Sequence, residues 1–137
     1  MTLVLDASMA IAWLFADETT DATEAIFDEV AANGAIVPAI WSLEVANGLQ
    51  KAMRRGRITS AERQLALSQL RHLPIEVDPQ THLHAWDATL ELADSHSLTP
   101  YDASYLELAR RNTKPLATLD GNLARAAKAE GIELMAL

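Results

Sequence analysis

Four carboxylates in this chain occupy positions from which they could act together: Asp6, Glu44, Asp102 and Asp120. Asp6 directly follows the apolar run Leu3-Val4-Leu5, and Asp120 directly follows Leu116-Ala117-Thr118-Leu119. Both runs read as short strands. Acids that end parallel strands share one edge of the sheet, which is where open α/β folds carry their sites. Asp102 stands in the first turn of a helix after Leu98-Thr99-Pro100-Tyr101, and Glu44 in the first turns of the helix after the second strand. A sheet wound this way brings all four into one cleft. Carboxylates held close together repel one another and take up protons unless a cation neutralises them. A site built from oxygen donors, with no Cys or His, suits Mg2+ or Mn2+ rather than Zn2+. Such an ion can activate water and stabilise charge on a phosphoryl oxygen.

Each acid also has a plainer explanation. Asp6 and Asp120 are good helix N-caps. Thr99-Pro100-Tyr101-Asp102 has the form of a helix start with proline at the first position, and Glu44 could be an ordinary exposed helical residue. Taken one at a time these explanations suffice; the four acids together argue for a metal.

The elements that must position them are legible in the pattern of apolar runs and stop signals. After the first strand, Ser8 to Phe15 reads as a short helix. Thr20 to Ala32 reads as a second, with Ala22, Ala25, Ile26, Val30 and Ala31 on its apolar face and Asn33-Gly34 as its stop. Ala35-Ile36-Val37 is the second strand, and a helix runs from about Ile40 to Arg55. Thr59 to Leu73 is helical, with Thr59 and Glu62 in a capping-box pattern. Ile75-Glu76-Val77 is the third strand. Helices are expected over Thr81 to His96, Pro100 to Asn112 and Asn122 to Glu130, and a last strand over Ile132-Glu133-Leu134. Strands alternating with helices imply an α/β protein: a central, mostly parallel sheet of four to five short strands with helices on both faces.

Composition bounds the function. A chain of 137 residues with half of them hydrophobic is the size of one domain. Cysteine is absent, which excludes disulfides, thiolate metal sites and cysteine nucleophiles. Met1-Thr2 leads straight into the first strand with no secretory pattern, and the run Met9 to Ala16 is far short of a membrane span; a cytoplasmic protein with no membrane contact is expected. The formal charge of -8 counts against nucleic-acid binding, whose usual footprint is basic. One basic cluster answers it: Lys51, Arg54, Arg55 and Arg57, a candidate phosphate-binding patch, although cations at a helix C-terminus also suit the helix dipole.

The segments Leu5-Asp6-Ala7-Ser8, Leu43-Glu44-Val45-Ala46-Asn47, Thr99-Pro100-Tyr101-Asp102-Ala103-Ser104-Tyr105-Leu106-Glu107-Leu108-Ala109 and Ala117-Thr118-Leu119-Asp120 resemble the four acidic motifs of PIN-domain proteins, most closely the VapC-type toxins of toxin–antitoxin pairs. Order, residue type and approximate spacing agree over essentially the whole chain. The resemblance implies a three-layer PIN-like fold over residues 1–137 as a single domain. It also implies an endoribonuclease that uses Mg2+ or Mn2+ to hydrolyse RNA phosphodiester bonds, acting as the toxin of a type II pair. Asp6, Glu44 and Asp102 would be the primary acids around the metal, with Asp120 helping to hold it directly or through water. Ser8 and Thr118 would orient ligands or water. Asn47, one turn beyond Glu44 on the same face, would support them. A homodimer and a small antitoxin that blocks the cleft are the partners implied.

Other motifs carry less. Trp13, Trp41 and Trp86 could stack on bases, but each lies in apolar helical sequence, where core or interface packing is expected. Trp13 and Phe15 are candidates for a dimer or antitoxin surface. His82 and His84 are two apart and do not share a helical face. An aspartyl-nucleophile phosphatase would carry an acid two residues after Asp6, where Ser8 stands. A receiver-like domain would need an acidic pair at the first strand and a lysine on a late strand, and Lys114 merely precedes its strand. A non-catalytic PIN-like scaffold is weighed against by the presence of all four acids.

Overall fold

The computed structural model describes residues 3–135; Met1, Thr2, Ala136 and Leu137 lie outside them. Four short strands, β1 (Val4–Leu5), β2 (Ala35–Val37), β3 (Ile75–Val77) and β4 (Leu116–Ala117), form one sheet in the order β3-β2-β1-β4. All pairings are parallel, with Val4 opposite both Ile36 and Leu116, and Ala35, Ile36 and Val37 opposite Ile75, Glu76 and Val77. The expected last strand at Ile132–Leu134 reduces to a single parallel bridge between Leu116 and Leu134.

Parallel neighbours require crossovers, and these are right-handed. The chain therefore lays α1 (Ala7–Ala12), α2 (Asp21–Asn33), α3 (Trp41–Arg54) and α4 (Ser60–Arg71) over one face as it steps outward from β1 to β3. It returns through α5 (Thr81–His84), α6 (Ala88–His96) and α7 (Pro100–Asn112) over the other face to reach β4, on the far side of β1, and ends in α8 (Gly121–Ala129). The winding reverses between β1 and β4. That reversal opens a crevice at the carboxyl ends of these two strands, directly at Asp6 and Asp120.

The core follows from strand burial. Leu3, Val4, Leu5, Leu116 and Ala117 are completely buried, as expected of central parallel strands covered on both faces. Helix α7 packs against α6, α8, β1 and β4, and every residue from Ala103 to Ala109 is buried. A helix enclosed this way is a rigid carrier for the acid in its first turn. Its C-terminal half is fixed by an ion network: Arg111 pairs with buried Asp78 at 2.6 Å and with Glu107 at 2.7 Å. Burial alone would raise the Asp78 carboxyl, but the hydrogen bonds from Arg111, the Gln80 N–H and Thr81, with the Arg111 charge, together more than offset it and hold the group below the ordinary carboxylate range.

Both capping boxes are present. Thr59 and Glu62 exchange their bonds as expected, and Thr20 and Thr23 do the same at α2. Gly34 ends α2 with φ of 80°, a conformation that favours glycine. The apolar face of α2 runs through Thr23, Ile26 and Val30, which are buried; Ala25 and Ala31 are exposed, contrary to expectation. The first helix is shorter than expected, ending at Ala12 and leaving Phe15 beyond it, buried beneath the Arg57 guanidinium at 4.1 Å from the ring centre.

The largest departure is at Thr81–His96, which divides into α5 and α6. The Thr81 hydroxyl donates to Asp78 Oδ2 at 3.0 Å and accepts the Ala39 N–H at 3.0 Å. This pins α5 to the β2–α3 corner and frees α6 to follow α7. Trp86 lies in the break and is 88% exposed, so it is not a core residue. Trp41 is buried. Trp13 is half-buried, with its indole N–H on Thr23 O at 2.8 Å and its ring edge-on to Phe27.

Candidate active site

Asp6 is the most enclosed of the four acids, at 6% exposure. Its backbone N–H continues the β1–β4 ladder to Ala117 O at 3.0 Å. Its side chain does not cap α1; Oδ2 instead accepts the hydroxyls of Thr118 at 2.6 Å and Ser8 at 2.7 Å. Those two hydroxyls also accept backbone N–H groups of the β4–α8 loop: Thr118 from Asp120 at 3.0 Å and Ser8 from Leu119 at 3.0 Å. Ser8 and Thr118 therefore hold Asp6 and the loop carrying Asp120 in one register. Burial pushes the Asp6 carboxyl up, repulsion from Asp120 adds to this, and the two hydroxyls offset it in part.

Asp120 does act as an N-cap, with Oδ1 accepting from Asn122 N at 2.9 Å and Leu123 N at 3.3 Å. The capping explanation and the site explanation hold together here, because one oxygen serves the helix and the other is left over. Asp102 is half-buried one turn into α7, whose start is capped by Thr99 accepting the Asp102 N–H at 3.1 Å. Its carboxyl is raised by burial and then by repulsion from Asp120 and Asp6. Glu44, half-buried on the first turn of α3, accepts a hydrogen bond on Oε1 from the hydroxyl of Tyr105. Burial raises Glu44, and Asp6 and Asp102 raise it further.

These couplings link all four expected acids into one electrostatic unit, although their sequence positions span most of the chain. Tyr105 is a site residue that sequence reasoning missed. It is fully buried, and its ionisation is pushed far up by burial and by the Glu44 and Asp6 carboxylates, so it is a fixed donor. Its spacing, three residues after Asp102 on the same helical face, carries no hint of Glu44, the partner that the fold supplies. Asn47 is exposed beside Glu44, Leu43 and Tyr101 and makes no bond to the acids. Of the basic cluster, Lys51, Arg54 and Arg55 are exposed, whereas Arg57 is spent on Asp17 at 3.1 Å and Glu18 at 3.3 Å.

The donor set fits a hard divalent cation: carboxylate oxygens with no sulfur or imidazole, three of them raised by burial and mutual repulsion. Among the described residues no three acidic or imidazole groups are already gathered tightly enough to hold one ion. Ligation by three of these acids therefore requires them to draw closer around the ion.

A parallel sheet in this order, with acids meeting at its switch point, defines a class. The sequence matches the family model described as PIN domain over residues 3–129, and the chain belongs to that family. Among its relatives, "Ribonuclease VapC3" of Pyrobaculum aerophilum is 31% identical over 124 residues, covering 90% of this chain and 93% of the relative. "Ribonuclease VapC9" of Mycobacterium tuberculosis is 30% identical over 130 residues, covering 93% of each. Of solved structures, PAE2754 from Pyrobaculum aerophilum superposes with a TM-score of 0.69 at 26% identity, over 92% of this chain and 86% of that one. FitAcB from Neisseria gonorrhoeae superposes with a TM-score of 0.66 over 98% and 96% of the two chains; at 14% identity it speaks for the fold alone.

Proposed function

We propose that this chain is a divalent-metal-dependent endoribonuclease that hydrolyses RNA phosphodiester bonds as the toxin of a type II toxin–antitoxin pair. The observation that carries the reading is the corner at the carboxyl ends of β1 and β4, where Ser8 and Thr118 tie buried Asp6 to the loop bearing Asp120, with Glu44 and Asp102 near enough for their carboxyls to be raised by Asp6. Membership of a family whose relatives bear the name VapC ribonuclease supports the reaction class. In this reading residues 1–137 act as one PIN-like domain. The remaining partners are a small antitoxin that blocks the cleft and a second copy in a homodimer. The setting is the cytoplasm, and no helix among the described residues is long and apolar enough to cross a membrane.

Asp6, Glu44 and Asp102 hold the metal, Mg2+ or Mn2+, and Asp120 assists directly or through water. When bound, that ion supplies Lewis-acid stabilisation of charge on phosphoryl oxygens and lowers the pKa of water. The chain's own work is positioning. Thr118 and Ser8 fix one oxygen of Asp6, and Tyr105 fixes one oxygen of Glu44, so each acid keeps its second oxygen for the ion. The raised carboxyls give up any bound protons when a cation arrives, which makes ion capture pH-dependent. The test is an RNA cleavage assay on wild type and Asp6→Asn with Mg2+, Mn2+ or chelator. Cleavage by wild type with either ion, and none with chelator or in the variant, is expected. Equal cleavage by wild type and Asp6→Asn at equal metal would overturn the assignment of Asp6.

A further inference from the structure

Two adjoining hollows lie along the outer face of α3, the first of them at Glu44. One, of about 290 Å3, is lined by Ile40, Leu43, Glu44, Asn47 and Tyr101. The next, of about 370 Å3, shares Leu43 and Asn47 and continues to Gln50 and Arg63. Together they form one groove that starts at Glu44 and runs toward α4. Its apolar floor is open: Leu43 is 68% and Tyr101 61% exposed.

What marks this groove is that unspent polar groups line a hollow that begins at Glu44. Among the described residues, the side chains of Asn47, Gln50, Arg63 and Tyr101 make no polar bond within the chain. Arg57, Arg110 and Arg111 are engaged by carboxylates; Arg54 and Arg55 are as free as Arg63, but neither lines the hollows beside Glu44. In a chain of net charge -8, an uncommitted arginine beside uncommitted amides and an open aromatic ring, all leading to a phosphoryl-transfer site, has a specific chemical fit. Aromatic faces stack on bases of any identity, amides pair with base edges, and guanidinium groups take phosphates. An apolar protein partner would leave the two amides and Arg63 desolvated without bonds, at a cost. A duplex hides its base faces from an aromatic ring.

We propose that this groove is the track for a single-stranded RNA segment on one side of the scissile phosphate, with Tyr101 stacking on a base, Asn47 and Gln50 contacting base edges and Arg63 holding a backbone phosphate. The proposal rests on the ribonuclease reading. It also relocates the phosphate contact: Arg63 shares its hollow with Leu43 and Asn47, which also line the hollow at Glu44, whereas Arg54 stands about 15 Å down α3 from Glu44 at helical rise.

The test measures binding apart from chemistry. Fluorescein-labelled single-stranded RNA of randomised sequence, and a duplex of the same length, are titrated with full-length Asp6→Asn protein by fluorescence anisotropy over a salt series. Arg63→Glu, Tyr101→Ala and the pair Asn47→Ala/Gln50→Ala are added in that background and also assayed for cleavage in the otherwise wild-type chain. Arg63→Glu and Tyr101→Ala are each expected to raise Kd and KM about tenfold with kcat little changed. Arg63→Glu should also flatten the log Kd against log salt slope by about 0.7, one single-strand phosphate contact. Duplex RNA should bind more weakly than single strands. Unchanged Kd and KM in all three variants, while wild type still cuts RNA, overturn the groove and leave the ribonuclease reading standing. Variants that change sedimentation from dimer to monomer with RNA affinity intact overturn it in favour of a second copy on this face. Failure of the wild type itself to bind or cut RNA strikes the underlying ribonuclease reading, without recourse to any groove variant.

Discussion

Replacing Thr118 by valine removes one hydroxyl from a site that is 3% exposed and leaves the volume filled. The hydroxyl serves twice: it donates to Asp6 Oδ2 at 2.6 Å and accepts the Asp120 N–H at 3.0 Å. The first bond has a carboxylate acceptor, a class whose net contribution is about 1.5–3 kcal/mol, and an orphaned donor costs about 1–3 kcal/mol. Two circumstances pull the sum toward the lower ends. Asp6 keeps the Ser8 hydroxyl and, being already raised by burial, can take a proton. Asp120 is half-buried, so water can reach its N–H. A net loss of about 2–3 kcal/mol follows, which at this chain length lowers Tm by about 8–12 °C. Circular dichroism melting at pH 7 in chelator reads this without involving metal. Thr118→Ser keeps both bonds, loses one methyl, and should cost only about 1 kcal/mol. If the valine variant melts with the wild type, or the serine variant melts below the valine one, the hydroxyl is not the strut described here.

Tyr105→Phe keeps the buried ring and removes the only donor on Glu44 among the described residues; if Glu44 holds the ion as proposed, Mn2+ affinity by calorimetry should fall about tenfold, the usual loss when a group orienting a metal ligand is removed, with the far-ultraviolet spectrum unchanged. Asp6→Asn should raise the metal-free Tm at pH 7, because it removes a charge from a buried, repulsive site. Asp6, Glu44 and Asp102 all have raised folded pKa values, so the native state binds more protons than the unfolded chain. Metal-free stability should therefore decline as pH rises from the ordinary carboxylate range through those raised values, and saturating divalent cation should flatten the decline; melting curves across pH check both. Arg57→Ala loses exposed pairs to Asp17 and Glu18 and the cover over Phe15; it should cost about 1 kcal/mol or less in denaturant titration and leave RNA affinity within twofold by anisotropy, unlike the groove variants.

Local chemistry made much of the fold legible. The strands at Ala35–Val37 and Ile75–Val77 and the helix at Pro100–Asn112 carry their own boundaries in β-branched runs, prolines and caps. The split between α5 and α6 had no such mark. Thr81 to His96 contains neither glycine nor proline, and the start of the segment is held by tertiary contacts, Thr81 bonding to Asp78 and to Ala39, 42 residues away. The same division holds at the site. Asp6 and Asp120 were visible because they terminate apolar strands. Tyr105 was not, because a buried tyrosine on an apolar helix reads as packing until the fold brings Glu44, 61 residues away, to its hydroxyl.

The double use of the Ser8 and Thr118 hydroxyls gives the molecule a built-in reporter. The amide protons of Leu119 and Asp120 lie outside any strand or helix, and Leu119 is 42% exposed, so by exposure alone they should exchange with solvent quickly. Each is nonetheless locked onto a hydroxyl that in turn grips Asp6. Their exchange rates in deuterium oxide are thus a direct gauge of whether the corner around Asp6 is assembled, readable one residue at a time in a protein with no substrate present.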